Sequence, residues 1–120
     1  MRSPERFRFR TMPWLVAEDK VVASLEVAAS RADRRRGLLG RDGIEGAMIL
    51  SPARSVHTVR MRFPIEDAHV DAEMVVISVV TMAPWRVGRW RRRSRHVIEA
   101  EAGSLRRWGI ETGVQIEVKS

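Results

Sequence analysis

The sequence predicts a mainly β fold, a small sandwich or barrel of about eight short strands with one short helix. Three observations carry this. The apolar stretches are short, rich in Val, Ile and Leu, and several alternate with polar residues as half-buried strands do. Eight glycines and five prolines punctuate the chain between and around them. Only one segment, 31–39, combines a helix-start signal with a helical run, so the alternating strand and helix pattern of a parallel sheet is missing.

Taken in order, residues 1–13 mix charge with Pro4 and the isolated Phe7 and Phe9 and read as a loosely held arm. Residues 14–17 and 21–28 read as two strands joined by the polar turn Glu18-Asp19-Lys20, a first hairpin. Ser30, with Asp33 three residues on, offers a hydroxyl and a carboxylate to the free amide donors of a helix start. The helix is expected to run to Leu39, with Gly40 and Gly43 supplying the stop and turn.

Residues 47–50 form the next expected strand, and Pro52 and Arg54 mark a turn. Residues 55–61 read as extended until Pro64, which lacks the amide donor a central ladder needs. Residues 68–71 are another short strand, and 75–81, dense in β-branched residues, give the clearest strand signal before Pro84. Residues 85–95 hold six arginines, Trp85, Trp90 and Gly88 with no clean period and read as a loop. Residues 96–101 return to strand, 103–109 form a helical turn carrying Leu105 and Trp108 inward, and 114–118 alternate as the closing strand.

Composition bounds the function classes. A chain of 120 residues suits one domain, here residues 14–120, and 44% hydrophobic with 31% charged residues is a globular balance. With no cysteine, disulfides, thiolate zinc sites and cysteine nucleophiles are excluded, which fits a reducing compartment. No apolar run approaches the length of a membrane span, so the sequence predicts a soluble, cytoplasmic protein without a cofactor. The net charge of +7 invites an anionic partner, nucleic acid included. Only Lys20 and Lys119 of the 22 basic residues are lysines, a bias that a GC-rich coding sequence also produces.

An ordered set of fragments runs from Trp14 to the C-terminus. It comprises Arg34-x-x-Gly37-Leu38-Leu39-Gly40-Arg41, His57-Thr58, Met61-Arg62-Phe63-Pro64-Ile65, Asp71, Met82-Ala83-Pro84-Trp85-Arg86, Glu99-Ala100-x-Ala102-Gly103 and Trp108-Gly109-x-x-x-Gly113. In this combination the chain resembles the DUF192 family. The resemblance implies a mainly β, jelly-roll-like or barrel domain and no particular activity, so function has to be argued from the site. Three positions depart from the family pattern. Glu66 stands where the family usually has Asp, Asp67 and His69 stand where it has apolar or aromatic residues, and Met74 stands where it has a turn glycine. The last puts a tight turn after Asp71 in question, because Met resists positive φ.

Several constellations carry candidate chemistry. Asp67-x-His69-x-Asp71 would project from one strand face and, with His57, offers oxygen and imidazole ligands to a divalent metal. The plainer reading is an edge strand whose charges block aggregation. His57, Glu66, Asp67, His69 and Asp71 are the set for a metal-dependent, hydrolase-like enzyme, with His57, Glu66 and Asp71 its catalytic candidates. Ser55 near His57 lacks the strained elbow of a serine nucleophile. His57, Thr58, Arg60 and Arg62 suit an anion-binding patch; equally for Arg60 and Arg62, they and Thr58 suit the outward face of a strand whose Val59 and Met61 pack inward. Arg34, Arg41 and Glu99 match charged positions of the resemblance and are expected to act together or to tie the helix to the sheet. Trp85 can stack on bases while Arg86 and its neighbours neutralise phosphate, or it can plug the core beside a solvated loop. The sequence therefore favours a non-catalytic binding or accessory module for an anionic partner, over the metal-dependent enzyme and over a structural module of a larger assembly.

Overall fold

The computed structural model describes residues 13–120, so the arm expected over 1–13 lies outside the described residues apart from Pro13. The described chain forms one seven-stranded sheet with two short helices, one strand fewer than expected. The strands are β1 (Trp14–Ala17), β2 (Lys20–Ala28), β3 (Ala47–Leu50), β4 (Ile65–Val70), β5 (Val76–Met82), β6 (His96–Glu101) and β7 (Ile116–Lys119). The helices are α1 (Arg31–Arg36) and α2 (Ser104–Arg107).

The sheet order is β5-β4-β6-β3-β2-β1-β7, and every neighbouring pair is antiparallel except β2 and β3. Its two ends come together through the segments that lead into β5 and β7. Val75 and Gln115 form an isolated bridge, and the Ile116 amide donates to the Met74 carbonyl at 2.8 Å. β5 and β7 do not pair along their lengths, so the sheet remains open and sandwich-like and is no closed barrel.

Strand alternation gives each face its own core. Ala68 and Val70 of β4, Ile98 and Ala100 of β6 and Ile49 of β3 join Leu15, Leu25, Leu105, Ile110 and Ile116. On the other face Ile65, Val97, Met48, Leu50 and Met82 pack under Leu38, Val56, Met61 and Phe63. Each of the larger aliphatic, Met and Phe side chains contributes about 1.5–3 kcal/mol on burial, so losing either cluster would unfold a domain of this size.

Local chemistry explains most element ends. Glu18 and Asp19 both take positive φ, 49° and 69°, the backbone of the tight turn whose twist matches a hairpin. The Ser30 hydroxyl accepts from the Asp33 amide at 3.0 Å, as its spacing predicts. α1 stops at Arg36, short of Leu39, because Gly37 turns at φ 48° and the chain leaves the helix there. Met74 adopts φ 64° after all. The Asp71 carboxylate holds that turn by accepting from the Glu73 and Val75 amides at 2.9 and 3.0 Å, which supplies the order that a glycine there would not need.

Residues 55–61 are not the extended strand expected. They hold one bridge, His57 to Val87, and then turn at Arg60, whose φ is 67°. Fully buried Thr58 is the reason. Its hydroxyl donates to the Ala83 carbonyl at 2.6 Å and accepts the Arg86 amide at 2.8 Å, while its carbonyl accepts the Trp85 amide at 2.7 Å. These bonds tie two loops together and hold Trp85 at φ 67° with its side chain exposed, so Trp85 is not a core plug.

An arginine-lined cleft as candidate functional site

β4 is not the edge strand that its charged residues suggest. It lies between β5 and β6, is hydrogen-bonded on both sides, and all six of its residues are buried. Alternation sends Glu66 to one face and Asp67 and His69 to the other, where they are 2% and 3% exposed.

Above Asp67 and His69 is a cleft of about 460 Å³. Val56, Val80, Met82 and Val87 give it apolar walls, and Arg86, Arg89 and Arg91 are also among its lining residues. One wall depends on close backbone approach. The Gly88 amide donates to the Val56 carbonyl at 2.7 Å, and a side chain at residue 88 would place its Cβ 2.8 Å from that oxygen.

The floor has a defined hydrogen-bond logic. Ser94 Oγ lies 2.8 Å from His69 Nδ1, 2.9 Å from the Ala53 carbonyl and 3.2 Å from the His96 carbonyl. A serine has one hydroxyl hydrogen, which goes to a carbonyl, so Nδ1–H of His69 donates to Ser94 Oγ. Nε2 then carries a lone pair and faces Asp67 Oδ1 at 3.6 Å, too far for a hydrogen bond. Burial, helped by the Arg91 charge, pulls the His69 imidazole down to about 4. Burial pushes the Asp67 carboxyl up to about 6, against the opposing pull of Arg91. At neutral pH the pair is therefore a neutral imidazole beside a carboxylate, not a salt bridge. Asp67 Oδ2 and Arg91 Nε are buried without a hydrogen-bond partner among the described residues. Glu99 sits directly across from Asp67 on β6, and burial, with the Asp67 charge second, pushes it up to about 7.

The other residues singled out from the sequence separate into different places. Glu66 is fully buried on the opposite face, where its Oε1 accepts the Leu105 amide at 2.8 Å and caps α2, whose own cap residue Gly103 has no side chain to do so. Asp71 is occupied in its turn, and His57 is exposed on the loop side, so His57, Glu66 and Asp71 do not converge. Asp71 likewise does not join Asp67 and His69, and no group of three or more His, Asp or Glu suited to a metal occurs among the described residues. Arg41 pairs with Glu26 through two bonds of 2.8 Å, holding the Glu26 carboxyl below its ordinary range, and does not reach Glu99. Arg34 donates to the Ala29 carbonyl and shares a cavity of about 60 Å³ with His57 and Glu99, room for about one or two waters. Arg60 is exposed at its turn, and Arg62 pairs with Asp42 at 3.1 Å on the surface. Sequence reasoning missed Ser94 and the convergence of Arg89 and Arg91 on Asp67 and His69. The signal was present only as a polar pair on one strand face and an arginine-rich loop about 20 residues on.

The fold and cleft define a small, mainly β domain with a polar-floored, arginine-lined pocket on one face of an open sheet. The chain belongs to the DUF192 family, described as Uncharacterized ACR, whose model matches residues 14–118. Among solved structures it is similar to a protein of unknown function from Novosphingobium aromaticivorans DSM 12444, with a TM-score of 0.75 and 19% identity over 88% of this chain and 83% of that one. It is also similar to a "putative transcription regulator" from Sinorhizobium meliloti 1021, with a TM-score of 0.72 and 16% identity over 88% of this chain and 91% of that one. At these identities the likeness is one of fold. No curated protein matches the chain. No helix among the described residues is long and apolar enough to cross a membrane.

Proposed function

We propose that the protein is a non-catalytic binding module that holds an anionic ligand in the cleft over β4 and β5. The observation that carries this is that three arginines, Arg86, Arg89 and Arg91, line one concave site with apolar walls. Arginine forks suit phosphate and carboxylate oxygens, and a cleft of about 460 Å³ is of ligand-binding size. The absence of cysteine agrees with a reducing, cytoplasmic setting for such a module.

Trp85 and Trp90, 61% and 64% exposed beside these arginines, favour a second reading in which the anion is the backbone of a single-stranded nucleic acid. Titration calorimetry with pyrophosphate and with a short single-stranded oligonucleotide tests both. Binding at low salt that weakens steadily as salt rises, and that falls at least about tenfold when Arg86, Arg89 and Arg91 are all replaced by alanine, is the expected result. Binding to neither anion at low salt, or affinity indifferent to the three replacements, would overturn the reading.

A further inference from the structure

The residues at the floor of the cleft hold two acceptors that the protein itself leaves unserved, with one unserved donor buried beside them. Asp67 Oδ2 is buried with no partner among the described residues, and His69 Nε2 is a lone-pair acceptor because Ser94 takes the Nδ1 hydrogen. Arg91 Nε is a buried donor with no partner among the described residues. The carboxylate and the imidazole are 3.6 Å apart at their nearest approach, so one small group can address both.

We propose that the cleft takes an amino-bearing heteroaromatic anion of the nucleoside monophosphate class, its –NH2 group donating to Asp67 and His69. The proposal rests on the anionic-ligand reading above and specifies what else that ligand carries. A hydroxyl has one hydrogen and serves one of the two acceptors, whereas an amino group has two and serves both. An ammonium group would bring a positive charge beside Arg91, which already bears on both floor residues; a neutral aromatic amine does not. The flat ring is called for by the walls, since Val56, Val80, Met82 and Val87 offer apolar surface between floor and mouth. Arg86 and Arg89, both exposed, are then left for the phosphate.

An under-satisfied carboxylate is itself an argument for use. Burying a charged oxygen without a donor costs stability, and a ligand amine removes that cost only when it is bound. Sites that read a hydrogen-bonding group in this way discriminate strongly against analogues that lack it, because the buried polar atoms are then left unpaired.

Adenosine and inosine monophosphate differ at the group in question, amine against carbonyl, as do the cytidine and uridine monophosphates. Calorimetry with the four nucleotides on the full chain is expected to show adenosine and cytidine monophosphate binding at least about tenfold more tightly than their partners. Asp67→Asn, which presents a donor as well as an acceptor, is expected to bring the ratios close to one while phosphate-dependent binding remains. Equal affinity for both members of each pair in the parent protein, or preference undiminished in Asp67→Asn, would overturn the proposal. If no nucleotide binds but pyrophosphate does so through Arg86 and Arg89, the anionic reading stands and this inference falls. If amine preference persists while the arginine replacements change nothing, the anionic reading falls and the role of Asp67 stands.

Discussion

At Asp67 the cost of burial and the proposed ligand contact pull apart. Its carboxyl is pushed from 3.8 to about 6 chiefly by burial, so the folded state holds the proton more tightly than the unfolded chain does. The sign follows directly. Below about pH 4 the group is protonated in both states and neutral to stability; as pH rises through that window the unfolded chain ionises first, and the folded state loses stability until about pH 6. At 1.36 kcal/mol per pH unit the full effect is about 3 kcal/mol. Asp67→Asn removes it and, by removing a charge opposite Glu99, relieves that residue in the same direction. Urea unfolding is therefore expected to show the variant more stable than the parent by up to about 3 kcal/mol near pH 8 and equal to it near pH 4. The same difference at both pH values would mean that the carboxylate is not desolvated as described. His69, pulled down by burial, opposes this trend in parent and variant alike and largely cancels from the comparison.

At the scale of elements, β4 is buried on both faces, and Glu66 shows a structural role on one of them. It crosses from the sheet to accept the Leu105 amide, with the Arg106 amide at 3.4 Å and the Arg106 guanidinium at 3.9 Å. Glu66→Ala removes the cap of α2 and leaves a hole against Leu105, a loss of about 2–4 kcal/mol by chemical unfolding. A cost below about 0.5 kcal/mol would show that α2 does not depend on it. The same strand explains what was legible. The β1–β2 hairpin, β3, β6 and the Ser30 cap read correctly because their periodicity and caps are local. β4 misread as an edge because Glu66, Asp67 and His69 look solvent-bound in sequence. The groups around them are far along the chain, the Leu105 amide 39 residues from Glu66, Ser94 25 from His69 and Arg91 24 from Asp67, and are not encoded in any local pattern. Residues 55–61 failed for a related reason, since Thr58 looks like an outward strand position and is in fact a side-chain pin to residues 83–86.

Across the whole molecule, the open sheet divides labour between its faces. One face, with Leu15, Ile98, Leu105 and Ile116, is closed by the meeting of the segments before β5 and β7. On the other, Leu38, Val56 and Phe63 pack with residues of β3 and β6, and residues of β4 and β5 line the cleft together with Val56. The family was readable from ordered fragments such as Gly37-Leu38-Leu39-Gly40, and one of them brings Met82 and Arg86 to the cleft, whereas Asp67, His69, Arg89 and Arg91 lie outside those fragments. The most direct test of this division is amide chemical-shift mapping of the isotope-labelled protein during titration with adenosine monophosphate. The account predicts that the shifted amides concentrate at 56, 67–69, 80–83 and 86–91. Shifts centred instead on residues 57–62 with 34–41, or on the β1–β7 end of the sheet, would contradict it.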